Sequence, residues 1–218
     1  MEVPTREEYA LLAGLLKKIR PELIGMSVRS SFFSMACEIT RNIHEELGTP
    51  VIWGGTHATV APDQSIEIAD MLCLGEGEQA LLELAQRMAA HETISDIQNL
   101  WVRENGRITR NPIRPLFQEI NSLPFPDYVN ESKYFVEGET ISTQDPGLQA
   151  FNLDIMTSRG CPYTCTYCSN SLFHHLYKGK GRLVRQRSVE NVLDELRRHK
   201  KIFPHLKRID FIDEVFSW

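Results

Sequence analysis

Short apolar runs alternate along the chain with stretches whose apolar residues recur at helical spacing. Between residues 5 and 19, Tyr9, Leu12, Leu16 and Ile19 fall on one helical face, and Pro21 follows its end. Leu23-Ile24-Gly25-Met26-Ser27-Val28 reads as a short, fully buried strand. A second helix over roughly 32–47 carries Ala36, Ile39 and Ile43 inward and stops at Gly48. Val51-Ile52-Trp53 is another buried strand, broken by Gly54-Gly55. A short turn of helix near residues 62–68 leads to Met71-Leu72-Cys73-Leu74, again strand-like, and residues 76–90 predict a helix with Leu81, Leu82, Leu84 and Met88 as its apolar positions. Buried strands alternating with helices predict a parallel sheet covered on both faces, which is an open α/β domain.

The pattern then changes. Residues 99–110 predict a hairpin, because Asn105-Gly106 is a strong short turn signal. Residues 111–150 are rich in Pro, Asp, Asn and Gly and read as an irregular linker. Periodicity returns with the strand Leu153-Asp154-Ile155-Met156-Thr157. Ser188 can cap a helix with Val189, Val192, Leu193 and Leu196 as its apolar face; Pro204 closes it, and 208–212 form a second strand. This second unit is βαβ. The expected organisation is a domain over 1–95, hairpin and linker over 96–151, and the start of another domain over 152–218. Only three strands are expected in residues 1–90, fewer than such a domain usually carries.

Composition narrows the function classes. With 42% hydrophobic and 24% charged residues among 218, the chain is ordinary for a globular protein. A net charge of −5 argues against general nucleic-acid binding. No apolar run approaches the roughly 18 residues of a membrane span, and the first residues lack the basic and apolar regions of a signal peptide. The expectation is a cytoplasmic protein with reduced cysteines. Of five cysteines, Cys37 and Cys73 sit in apolar patterns and read as core, whereas the other three fall within eight residues. A tight cluster in an odd count favours metal chemistry over disulfides.

That cluster reads Ser158-Arg159-Gly160-Cys161-Pro162-Tyr163-Thr164-Cys165-Thr166-Tyr167-Cys168. Three thiolates in C-x3-C-x2-C spacing can each bind one iron of a cubane and leave the fourth iron without a protein ligand. An open iron can chelate amino and carboxylate groups. Gly160 lets the backbone turn sharply out of the strand, and Pro162 stiffens the loop. Tyr167 offers an aromatic face beside the last cysteine. A zinc site would need a fourth ligand, which His174 or His175 could supply; the distant second pair of a zinc finger is absent.

The spacing, the aromatic residue before the third cysteine and the position after a strand resemble the radical S-adenosylmethionine superfamily. The resemblance implies the first βαβ of a partial (β/α)6 barrel, a [4Fe–4S] cluster on Cys161, Cys165 and Cys168, and a 5′-deoxyadenosyl radical that abstracts hydrogen from substrate. By position, Tyr167 would border the adenine of S-adenosylmethionine. Asp213-Glu214 fall where many members hold its methionine amino group with Gly-Gly-Glu, although the two glycines are missing here. Asp213-Glu214-Val215-Phe216 is similar to the acidic pair and hydrophobic residue of cobalamin-dependent members.

The first domain adds to this. Met26-Ser27, Trp53-Gly54-Gly55-Thr56-His57 and Leu74-Gly75-Glu76-Gly77-Glu78 lie at the carboxyl ends of predicted parallel strands, where open α/β sheets bind ligands. With Leu123-Pro124-Phe125-Pro126-Asp127-Tyr128 they resemble the cobalamin-binding domain and linker that precede many radical enzymes. The resemblance makes Ser27, Gly54, Gly55, Thr56 and Gly75 candidate cobalamin contacts; as plain residues they equally suit tight βα turns. No histidine has Asp two before it and Gly three after it, so a bound cobalamin would lack that lower ligand. Gly75-x-Gly77-x-x-Ala80 formally matches a dinucleotide fingerprint, but Glu76 and Glu78 would oppose a pyrophosphate. His57 reads as structural or ligand-contacting. The basic residues 178–187 read either as the mouth of the site or as a solvated face.

The expectation is therefore a partial Rossmann-like parallel sheet of B12-binding type followed by a radical-enzyme barrel's first βαβ. It is expected to be incomplete at both ends, and so either poorly soluble or dependent on a partner chain. The expected activity is methyl transfer to an unreactive centre, with radical rearrangement or cyclisation close behind. The resemblance further implies a small-molecule or peptide substrate and an electron donor such as flavodoxin or ferredoxin. A radical enzyme whose first domain binds no corrin, a zinc-bearing binding module and an inactive fragment are the alternatives.

Overall fold

The computed structural model describes residues 4–128 and 132–216, and the chain divides into two units, Met1–Arg114 and Pro115–Trp218. In the first, α1 (Arg6–Ile19) starts at a capping box: Thr5 Oγ1 accepts from Glu8 N at 3.2 Å, and Thr5 N donates to Glu8 Oε2 at 2.7 Å. β1 (Ile24–Ser27), α2 (Phe33–Glu46), β2 (Val51–Gly54), α3 (Gly55–Val60), α4 (Pro62–Ile66), β3 (Met71–Cys73) and α5 (Glu78–Ala89) follow. β4 (Leu100–Glu104) and β5 (Arg107–Arg110) form the hairpin expected at Asn105-Gly106, where both residues have positive φ.

The sheet order is β1-β2-β3-β4-β5. β1, β2 and β3 are parallel, in a register that sets Gly25 beside Ile52 and Trp53 beside Leu72. β4 joins β3 antiparallel, opposing Leu72 with Trp101, so the hairpin extends the first sheet to five strands. The sequence places that hairpin apart because turn chemistry reports a hairpin without saying which edge it meets. The Gly54-Gly55 break also carries a helix, α3, that sequence reasoning treats only as a loop.

Ile52, Met71, Cys73, Ala80, Leu84, Ile97, Leu100 and Val102 form one core cluster. Burying each large aliphatic side chain contributes roughly 1.5–3 kcal/mol. On α5 the core face is Ala80 and Leu84 with Met88 packed alongside; Leu81 and Leu82 are exposed, against expectation. Positions 80, 84 and 88 share a helical face, and small Ala80 lets the helix approach the sheet. Buried Trp53 keeps its indole N–H satisfied by donating to Thr40 Oγ1 at 2.9 Å.

The second unit contains β6 (Phe135–Glu137), β7 (Thr140–Ser142), β8 (Asn152–Ile155), β9 (Ser158–Arg159), α6 (Asn170–Leu176), β10 (Arg185–Gln186), α7 (Val189–Ile202) and β11 (Arg208–Phe211). β6 and β7 make a small hairpin inside the stretch expected to be irregular. β8 and β11 pair in parallel, Leu153 beside Ile209, with α7 between them in sequence, which is the expected βαβ. β9 pairs antiparallel with β10 and carries the chain toward Gly160.

Ser188 caps α7, its hydroxyl accepting from Asn191 N at 3.2 Å. The buried face of α7 is the expected one only in part: Val192 and Leu196 are half-buried on it. Val189 and Leu193 are 68% and 42% exposed, whereas Glu195 and His199 are 3% and 0% exposed. Arg187 compensates the buried carboxylate at 2.5 Å, an ion pair that hydrophobic periodicity cannot foresee. Among the described residues, no helix is long and apolar enough to cross a membrane.

Candidate functional site

At the carboxyl ends of β1, β2 and β3 lies a cleft of about 340 Å3, at the lower end of the roughly 300–1,000 Å3 of small-molecule clefts. Gly25, Ser27, Gly54, Gly55, Gly75 and Gly77 are among its walls. A Cβ would stand 3.8 Å from Ile52 Cγ2 at Gly25 and 3.8 Å from Cys73 O at Gly54, ordinary contact distances, so the fold itself does not demand glycine at either position. Gly55 differs: at φ +86° its missing Cβ would stand 3.0 Å from Ser27 Oγ and Val28 N, so glycine lets α3 start against the end of β1. Of the five candidates in this unit, Ser27, Gly54, Gly55 and Gly75 line the cleft, and Thr56 is exposed outside its lining.

Gly75 N donates to Thr59 Oγ1 at 3.0 Å, and that hydroxyl donates to Gly55 O at 3.0 Å. The amide is thus spent within the fold, which removes it as a phosphate donor for the dinucleotide reading. His57 is 6% exposed, and its Nδ1 lies 3.0 Å from Ser30 Oγ; burial lowers its pKa, favouring the neutral ring. Its ring packs on Phe33 at 4.5 Å, which fits the structural reading. Cys73 also lines the cleft, its thiol pushed up to about 11 by burial, so it stays protonated at neutral pH.

In the second unit β9 delivers the chain to Gly160, whose φ is +84° and whose Cβ would fall 2.3 Å from Leu183 O. Only glycine passes there. Cys161 is 9% exposed, Cys168 half-buried and Cys165 exposed. Cys168 N donates to Cys165 O at 3.0 Å, a tight turn that leads into α6. Among the described residues, no three His, Cys, Asp or Glu side chains stand together as a metal site, so the loop is shaped but its thiols do not converge. The donor chemistry fits an iron–sulfur cluster: three thiols and no competing carboxylate within the spacing. Metal binding commonly draws such ligands together.

Tyr167 is 91% exposed. His174 Nε2 lies 2.8 Å from Cys161 O, which can only accept, so this nitrogen is the donor and is spent for a zinc ion. His175 is exposed. At the end of β11, Asp213 Oδ1 accepts from Thr157 N, Thr157 Oγ1 and Ser158 Oγ at 2.9, 3.0 and 2.5 Å, while Oδ2 is buried without a partner. Glu214 Oε2 accepts from Gly160 N at 3.1 Å. Within the basic stretch Lys178 and Arg182 are exposed, whereas Arg185 is 5% exposed and donates to Phe117 O, and Arg187 donates to Met156 O and Asn191.

A model of the B12 binding domain family matches residues 4–85. Their fold is that of a B12-binding domain. Around it, an uncharacterized methyltransferase of Pyrococcus horikoshii is 30% identical over 220 residues, covering 96% of this chain and 43% of that protein. The cobalamin-dependent radical SAM methyltransferase TokK of Streptomyces tokunonensis is 25% identical over 155 residues, 69% of this chain and 22% of TokK. The cobalamin-dependent S-adenosylmethionine radical enzyme OxsB, solved with aqua-cobalamin bound, superposes with a TM-score of 0.67 at 25% identity, over 95% of this chain and 28% of OxsB. The chain is related to cobalamin-dependent radical SAM methyltransferases, and it spans less than half the length of the relatives it matches.

Two residues of the first unit escaped sequence reasoning. Gly25 carried a signal, since an isolated glycine inside a strand marks close backbone approach. Asn99 carried none. It is fully buried at φ +74°, its amide donates to Leu74 O at 2.9 Å and Glu76 O at 3.0 Å, and its Oδ1 accepts from Arg114 N at 2.8 Å. It thereby ties down the segment that carries Gly75.

Proposed function

We propose that this chain is the cofactor-bearing part of a cobalamin-dependent radical S-adenosylmethionine methyltransferase. One observation carries the reading: the B12-binding domain is followed in the same chain by Cys161-x3-Cys165-x2-Cys168, delivered by a strand end through a glycine no other residue could replace. When bound, the [4Fe–4S] cluster with S-adenosylmethionine supplies one-electron reductive cleavage, and cobalamin supplies a methyl carrier.

The chain's own residues take the following parts. Cys161, Cys165 and Cys168 are the cluster ligands, and Tyr167, free to turn, stacks on the adenine. Asp213 Oδ2, the oxygen without a partner, is the acceptor for the amino group of S-adenosylmethionine, and Glu214 stands beside it. The bare backbone at Gly25 and Gly54, with Ser27, Gly55 and Gly75, receives part of the cobalamin, and Thr56 borders it from outside the cleft. Buried His57 stays neutral and holds α3 against the β1 end. The acceptor substrate is a small molecule or peptide, methyl transfer is the reaction, and a flavodoxin- or ferredoxin-like protein is the electron donor.

Titration with hydroxocobalamin, followed by visible absorption, tests the cleft. The native protein should bind, and Gly54→Leu should weaken binding by about tenfold or more, with its melting temperature and circular dichroism recorded alongside to show that the variant is folded. Equal affinity in the two proteins contradicts the cleft as the cobalamin site.

A further inference from the structure

The acidic pair at the end of β11 has more bonds than a cofactor contact requires. Asp213 Oδ1 takes three donors from two consecutive residues, Thr157 and Ser158. Hydrogen bonds to an ionised acceptor are roughly twice as strong as neutral ones. Glu214 then takes the amide of Gly160, two residues further on. Two adjacent carboxylates on one strand end thus fasten residues 157, 158 and 160 of the neighbouring segment. Ser158 is 6% exposed, so its hydroxyl has little water to fall back on. From the other side, Leu183 O fills the place where Gly160 would carry a Cβ, leaving the backbone no lateral freedom. The residue that emerges from this grip is Cys161, itself 9% exposed, with its carbonyl held by His174. The two loop cysteines that the grip does not reach differ from Cys161: Cys165 is exposed and Cys168 half-buried.

We propose that Asp213 and Glu214 are positioning residues: through Oδ1 and Oε2 they fix the path of residues 157–160 and so set where Cys161 presents its thiol. The role rests on reading the cysteine loop as a cluster site, and it is separate from the contact assigned to Asp213 Oδ2. One carboxylate serves both purposes with its two oxygens. Asp213→Asn keeps an acceptor oxygen for Thr157 and Ser158 and removes the negative charge. Asp213→Ala removes the acceptor altogether.

The test uses the full chain, metal-free, pulsed with iodoacetamide and read cysteine by cysteine by tandem mass spectrometry. Cys161 should react about tenfold faster or more in Asp213→Ala than in the native protein. Cys37 and Cys73 should stay protected, which excludes general unfolding. Asp213→Asn should leave Cys161 protected, and the double variant Thr157→Val, Ser158→Ala should expose Cys161 in the same direction as Asp213→Ala but less, because Thr157 N still donates. After anaerobic loading with iron and sulfide, Asp213→Ala should retain less iron. Asp213→Asn should retain native iron yet lose the change that S-adenosylmethionine makes in the spectrum of the reduced cluster. Native protection of Cys161 in Asp213→Ala overturns the proposal, as does equal exposure in Asp213→Ala and Asp213→Asn. If the native protein takes up no iron while the alkylation pattern holds, the cluster reading fails and the clamp stands.

Discussion

The two units are held together by different physics. In Met1–Arg114 the interior is apolar and closely packed: Val51, Trp53, Ile66, Leu72, Ile97 and Leu100 are each fully buried, and the buried polar groups Thr40 and Asn99 are hydrogen-bonded. In Pro115–Trp218 fewer large apolar side chains are buried, and the βαβ is braced by charge: Arg187 to Glu195, Arg185 to a backbone carbonyl, Asp213 to Thr157 and Ser158. Apolar burial is non-directional and tolerates small shifts, whereas ion pairs and multiple hydrogen bonds fix direction. The first suits a platform that receives a large ligand on a bare strand edge. The second suits a loop whose ligand atoms must enter at one angle.

The sharpest way to break this contrast is to empty the first core. Leu72→Ala should cost about 4 kcal/mol of the first unit's stability in urea unfolding followed by tryptophan fluorescence, whereas Leu193→Ala on the exposed face of α7 should cost less than about 0.5 kcal/mol. Next, Glu195→Ala should destabilise α7 by about 3 kcal/mol, read by amide exchange over residues 189–202, because it leaves the Arg187 charge uncompensated. In the first unit, Asn99→Ala should cost about 2 kcal/mol, by stranding Leu74 O and Glu76 O and placing a less tolerant residue at positive φ. It should weaken cobalamin binding alongside.

A smaller effect is expected from pH. Burial, opposed by the charge of Glu195, lowers the pKa of fully buried His199 below 6.5, so the folded chain binds this proton less readily than the unfolded one. Its contribution to stability is therefore full above pH 6.5 and is lost as pH falls from there toward the folded value. Protection of the α7 amides, measured against the intrinsic exchange rate at each pH, should fall from pH 7.5 to 5.5, and His199→Phe should flatten that dependence. The smallest effect belongs to Leu82→Ser, within about 0.5 kcal/mol, because that leucine is 60% exposed.

The parallel strands, their order of appearance, the hairpin turn at Asn105-Gly106 and the Ser188 cap were all legible, since each has a local signature in spacing or turn chemistry. The buried face of α7 was legible only in part. Hydrophobic periodicity put Val189 and Leu193 inward, and only the partner Arg187, brought from outside the helix, makes Glu195 the buried residue. Joining β4 to β3 was likewise invisible, because strand neighbours are chosen by long-range packing. For the candidate sites, Gly54, Gly55 and the three cysteines stood out through residue type and spacing. Asn99 and the double duty of Asp213 did not, because an asparagine or aspartate carries the same letter whether it faces water or holds a loop.

The most direct test is electron paramagnetic resonance of the anaerobically reconstituted, reduced protein, with and without S-adenosylmethionine. The account predicts a cluster signal corresponding to about four irons per chain, a change in that signal on adding S-adenosylmethionine, and loss of both in Cys165→Ala. A protein that forms no cluster, or whose cluster signal ignores S-adenosylmethionine or survives in Cys165→Ala, would contradict it.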